Sequence, residues 1–216
     1  MDANYLVVDE ISVTYPDGFV AVESLTLRLR RGEIVGLVGP SGSGKSTLLR
    51  AIAGLEPVSA GRILLAGVDC SRVPTHRRSV GMVFQDGQLF PHYSVGRNIA
   101  YGLPRHRRDP HGEVVNELLD LVGLTGFNDR AVTTLSGGQA QRVALVRTLA
   151  PAPQIVLFDE PLSSLDTALK RDLAADIRRV LRARETTAIY VTHDETEAQQ
   201  VADRVVDLRQ LQASRP

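Results

Sequence analysis

The chain has 216 residues, 43% of them hydrophobic and 23% charged, which suits one globular domain and excludes a mostly disordered chain. Twenty-five Lys and Arg balance twenty-five Asp and Glu, so the net charge of zero gives no general attraction to nucleic acid or anionic lipid. Cys70 is the only cysteine, which excludes an intrachain disulfide and fits a reducing cytosol. No apolar run approaches the roughly 18–20 residues of a membrane-spanning helix. The start, MDANYLVVDE, does not read as a signal peptide. Any work at a membrane then requires partners that hold the chain there.

In chain order, residues 5–30 read as β structure. Leu25, Leu27 and Leu29 alternate with Thr26, Arg28 and Arg30, the period of a half-buried strand, and Pro16-Asp17-Gly18 predicts a hairpin turn. Residues 34–38 (IVGLV) predict a buried strand. A helix is expected over 46–55 from Leu48, Leu49, Ile52 and Leu55. Further strands are expected at 62–66, 80–84, 155–158 and 188–191. Residues 86–150 lack strand patterns and carry helical ones at 113–122 and about 138–150, punctuated by Gly and Pro. They read as a helical subdomain inserted into a core of 1–85 and 151–216. Arg105-His106-Arg107-Arg108 reads as a solvated loop. The clearest helix is 167–184, with Leu169, Leu173, Ile177, Val180 and Leu181 on one face and Asp166 as its N-cap. Buried strands alternating with helices predict an α/β fold with a parallel sheet.

Chemistry concentrates first at Gly39-Pro40-Ser41-Gly42-Ser43-Gly44-Lys45-Ser46-Thr47. This is a phosphate loop between a strand and a helix. Its glycines let successive N–H groups wrap a phosphate chain, and the helix that follows points its positive end at the same anion. Lys45 can reach β- and γ-phosphates, and the Ser46 hydroxyl can join a Mg²⁺ shell. A dinucleotide fingerprint is excluded, because Thr47 stands where a third glycine is needed.

Residues 155–160 (IVLFDE) run four apolar residues into two acids at a strand's C-terminal end, the sheet edge where ligands bind. Asp159 suits the metal shell and Glu160 a base for an attacking water. Gln85 ends another strand and can contact both Mg²⁺ and water. His193 ends a third, where it can donate to a γ-phosphate oxygen. A second anion cradle opens at Ser136-Gly137-Gly138-Gln139. One triphosphate needs one cradle, so a second suggests a nucleotide shared between two chains arranged head to tail.

With these motifs in order, the chain resembles the nucleotide-binding subunits of ABC transporters over nearly its whole length. The resemblance implies a P-loop NTPase (RecA-like) core with an N-terminal antiparallel β subdomain and an inserted α-helical subdomain. It implies Tyr15 as the aromatic that stacks on adenine, residues 39–47 as Walker A, and Gln85 as the Q-loop. By the same resemblance, 135–139 is the signature, 155–160 Walker B, 163–166 the D-loop ending in Asp166, and His193 the switch histidine. Residues 84–103 look most like importers for ferric iron, thiamine, sulfate, molybdate and polyamines.

The resemblance further implies ATP with Mg²⁺, a second copy of the chain, transmembrane permease subunits and an external substrate-binding protein, but no nucleic acid. It implies a peripheral location at the cytoplasmic face of the membrane. The alternatives are an exporter, a lipoprotein-release or cell-division complex, or a non-transport ABC ATPase. Leu89-Phe90-Pro91-His92 speaks against the first group, and the lack of a long coiled coil or Cys cluster against the last. Departures from the family pattern are Ala140, Arg97, Thr133 and an end, VVDLRQLQASRP, without the usual Asp-Gly hairpin.

Overall fold

A computed structural model describes residues 4–85 and 88–213. Met1–Ala3, the Asp86-Gly87 pair inside the importer-like segment, and the last three residues lie outside the described part. Strands β1 (Leu6–Thr14), β2 (Val20–Leu29), β4 (Ala60–Leu65) and β5 (Val68–Asp69) form an antiparallel sheet in the order β2-β1-β4-β5. Strands β3 (Ile34–Val38), β6 (Val80–Phe84), β7 (Ile155–Asp159), β8 (Thr187–Val191) and β9 (Arg204–Asp207) form a parallel sheet in the order β6-β7-β8-β3-β9. The expected α/β class is therefore observed.

The central strands are buried on both faces, as a covered parallel sheet requires. Their alternation divides the core in two. Val156, Phe158, Ala188 and Tyr190 enter one cluster with α4 (Gly137–Leu149) and α5 (Thr167–Ala183). Ile155, Leu157, Ile189 and Val191 enter the other, with the antiparallel sheet and α1 (Lys45–Ala53). A shift of one residue in register would exchange these two sets.

α1 is shorter than its apolar pattern suggests. Gly54, at φ +77°, ends it, and Leu55 is 49% exposed rather than in the core. The buried Arg78 guanidinium caps the helix, donating from Nη1 to Ala51 O (2.8 Å) and Ile52 O (3.0 Å). A β-carbon on Gly54 would lie 2.4 Å from Arg78 Nε, so the two residues are chosen together.

Between β6 and β7 the described residues hold α2 (Val95–Ala100), α3 (Glu113–Leu121) and α4. Buried Asn98 organises the preceding turn. Its Oδ1 accepts from Phe90 N, and its Nδ2 donates to the carbonyls of Phe90 and Ser94. Residues 105–107 form a short 3₁₀ turn in the expected solvated loop. After β8 come α6 (Glu195–Val201), β9 and α7 (Leu208–Ala213). α7 occupies the stretch that lacks an Asp-Gly hairpin, and its Leu208 is fully buried.

Candidate nucleotide site

Because the sheet is parallel, the C-terminal ends of β6, β7, β8, β3 and β9 share one edge. Along it stand Gln85, Asp159 with Glu160, His193, Gly39 and Asp207. The phosphate loop leaves β3 there through three glycines with positive φ: Gly39 (+153°), Gly42 (+78°) and Gly44 (+95°). Gly44 is needed twice over, since a β-carbon would meet Ala21 O at 2.3 Å.

Lys45 is 5% exposed, and its Nζ donates to Gly39 O and Pro40 O, both at 2.8 Å. The ammonium thus lies folded across the mouth of its own loop. Ser46 Oγ donates to Asp159 Oδ1 at 2.7 Å, which ties α1 to the end of β7. Ser43 Oγ is buried without a hydrogen-bond partner. Pro40, Ser41 and Gly42 are exposed or open, and nothing lies within 4 Å of a β-carbon placed on Gly42. The orphaned Ser43 hydroxyl, the ammonium and the glycine cradle fit a polyphosphate. The Ser46 and Asp159 oxygens fit a hard divalent cation such as Mg²⁺.

Glu160 adopts φ +47°, a left-handed conformation unusual for a residue with a side chain. Its backbone is held at both ends. The N–H donates to Val191 O (3.0 Å), and the carbonyl accepts from Ser163 Oγ (3.0 Å). This aims the carboxylate at His193, whose Nδ1 lies 2.9 Å from Glu160 Oε2. Gln85 is exposed, and its carbonyl accepts from Gln141 Nε2 of α4 at 2.9 Å.

The second cradle lies elsewhere. Ser136 caps α4 in a reciprocal capping box with Gln139. β-carbons on Gly137 and Gly138 would come within 3.2 Å of Leu165 and 3.0 Å of Leu169. The turn therefore packs against the start of α5, whose N-cap Asp166 accepts from Leu169 N at 3.0 Å. Among the described residues no hydrogen bond joins Ser136–Gln139 to the phosphate loop. Within one chain the fold brings together the 39–47 loop, Asp159, Glu160, His193 and Tyr15. Tyr15 belongs to this group through its hydroxyl, 3.1 Å from Thr47 Oγ1.

Two features of this edge are not visible in the motifs. Asp207 sits beside Gly39, and hydrogen bonds from the Arg209 side chain and backbone, with the Lys45 charge nearby, hold its carboxyl below the usual range. The other is a staple under His193. Fully buried Tyr190 donates to Glu197 Oε1 at 2.7 Å, and Asp194 caps α6 between them by accepting from Thr196 N and Glu197 N. Burial and the neighbouring Glu197 charge push the Tyr190 phenol well above its ordinary pKa. An apolar strand interrupted by a tyrosine, with an acid one helical turn past the next N-cap, is the only sequence signal for it.

Residues 22–163 match the family model described as ABC transporter. The chain is 49% identical over 195 residues to the Fe(3+) ions import ATP-binding protein FbpC of Streptomyces avermitilis, covering 89% of this chain and 56% of that protein. It is 48% identical over 190 residues to the sulfate/thiosulfate import ATP-binding protein CysA of Synechococcus elongatus, covering 87% of this chain and 55% of that one. The chain thus spans little more than half the length of these curated relatives. Among solved structures, cbiO1 from Clostridium perfringens, described as part of the ABC transporter complex cbiONQ, superposes with a TM-score of 0.85. The identity there is 30%, and the match covers 95% of this chain and 85% of that one.

Proposed function

The chain belongs to the ABC transporter family, and from that membership we propose that it binds and hydrolyses ATP to power solute import. Its partners in this reading are a second copy of itself, membrane permease subunits and an external substrate-binding protein. It works peripherally at the cytoplasmic face of the membrane. The helical segment 86–150 is its inserted subdomain, set within the core of 1–85 and 151–216. The observation that carries the reading is the convergence of Lys45, Ser46, Asp159, Glu160 and His193 on one sheet edge, where direct hydrogen bonds join Ser46 to Asp159 and Glu160 to His193.

The roles follow from the geometry. Lys45 exchanges its two carbonyl partners for β- and γ-phosphate oxygens. The N–H groups of 41–47 and the Ser43 hydroxyl wrap the phosphate chain, and Tyr15 stacks on adenine. Ser46, Asp159 and Gln85 hold Mg²⁺, which when bound supplies neutralisation of phosphate charge. His193 holds Oε2 of Glu160, leaving Oε1 to take the proton of the attacking water as its oxygen bonds to the γ-phosphorus and ADP departs. With Nδ1–H donating to Glu160, the ring reaches a phosphate oxygen from Nε2 only when it carries both protons. Ser136, Gly137, Gly138 and Gln139 bind the γ-phosphate of the partner copy's nucleotide, beside its Asp166. Contacts of that kind exist only in the closed pair, so they drive closure, and hydrolysis releases it. The relatives named for iron(III) and for sulfate are almost equally similar to this chain, which favours placing solute choice in its partners.

Glu160→Gln tests the reading. It keeps the side-chain shape and His193 contact and removes the base. Phosphate release should fall by about 10²–10⁴-fold, with ATP affinity retained and a dimer seen by sedimentation in ATP. Native turnover by this variant refutes the role of Glu160. Full turnover by a monomer with Ser136 and Gly137 disabled refutes the shared site.

A further inference from the structure

Phe19 is 58% exposed at the end of the first hairpin turn, among the most exposed large apolar side chains of the described residues. Leaving a phenyl ring in water is unfavourable unless something covers it. Its ring is nearly parallel to that of Tyr15, with an interplanar angle of 10° and centroids 6.4 Å apart. The turn enforces this arrangement. Tyr15 N donates to Phe19 O (2.9 Å), Gly18 N donates to Tyr15 O (2.9 Å), and Asp17 Oδ1 accepts from Phe19 N (3.0 Å). Residues paired this way across a hairpin project to the same face.

That face adjoins the phosphate loop at two points. The Tyr15 hydroxyl meets Thr47 in the first turn of α1, and the Ala21 carbonyl, two residues beyond Phe19, packs on Gly44. Two residues of extended chain reach roughly 7 Å, so Phe19 lies at the outer rim of the site. A flat ring system entering there meets two π surfaces. A purine is wider than one phenol ring and has area to spare for both.

We infer that Phe19 is a second base-stacking residue, so that the nucleobase is held by Phe19 together with Tyr15. This rests on the reading that the chain binds ATP. Stacking accepts any base, so the pair adds affinity for nucleoside triphosphates over bare polyphosphate without choosing between adenine and guanine.

The experiment is calorimetric titration of the full chain and of Phe19→Ala with ATP, GTP and inorganic tripolyphosphate. Phe19→Ala should bind ATP and GTP more weakly, each on the order of ten-fold, and tripolyphosphate as before. Phe19→Trp should restore nucleotide affinity. Unchanged ATP affinity in Phe19→Ala, or an equal loss for tripolyphosphate, overturns the inference while the functional reading stands. A parent chain that binds no ATP overturns both.

Discussion

Replacing Gly44 by alanine puts a methyl group where the fold has no room for one. Gly44 lies at φ +95°, and its β-carbon would stand 2.3 Å from Ala21 O and 3.3 Å from Val22 Cγ2. Contacts under 3.0 Å essentially do not occur, so the two backbones must part by roughly 0.7 Å. Ala21 belongs to β2, which is paired with β1 on both sides of it, at Val13–Val22 and Thr14–Val20. The phosphate loop is therefore the part that moves.

Gly42→Ala is the matched control. Gly42 also has positive φ, +78°, but nothing lies within 4 Å of its β-carbon. The left-handed conformation alone costs an L-residue about 1–2 kcal/mol, and this is the whole expected cost at 42. At position 44 the overpacking adds about 1–3 kcal/mol. At about 2–4 °C per kcal/mol for a chain of this size, Gly42→Ala should lower Tm by about 2–8 °C and Gly44→Ala by about 4–20 °C. Moving the loop's N–H groups by a large fraction of an ångström should also cut ATP turnover by roughly 10²-fold at 44. Thermal melts and phosphate-release assays on both variants decide the matter. Equal Tm values with native turnover in Gly44→Ala would refute the steric argument.

Tyr190→Phe removes the donor to the buried Glu197 carboxylate and should cost about 1–3 kcal/mol in urea unfolding, whereas Glu197→Gln keeps an acceptor there and should cost less. The reverse order would show that the pair does not carry the staple beneath His193. Cys70 is buried, and burial pushes its thiol above the ordinary value. In the folded chain it should therefore resist a thiol reagent at pH 8 and react once urea unfolds the protein. Reaction at the rate of a free thiol without denaturant would contradict its place in the core.

The phosphate loop was legible in the sequence because anion binding by backbone needs glycines, a lysine and a hydroxyl within a few consecutive residues; the Ser136 turn showed as a hydroxyl and two glycines opening a helix, and the Asp159-Glu160 strand end as an apolar run ending in two acids. Continuous apolar runs marked β3, β7 and β8, since a strand covered on both faces has no polar side. The paired use of Gly54 and Arg78 was hidden, and the helical pattern of α1 ran two residues past Ala53, into exposed Leu55. β9 and α7 carry weak local patterns and owe their form to pairing with β3 and to the burial of Leu208.

The residues alone determined which groups could meet a phosphate, since that chemistry is local. Only the tertiary structure decided that Ser46 reaches Asp159, that Glu160 reaches His193 and that the Ser136 turn packs on Leu165 and Leu169. Those distances depend on strand order and register, which bring together groups 113 positions apart in the first pair and 33 in the second, and no local pattern encodes them.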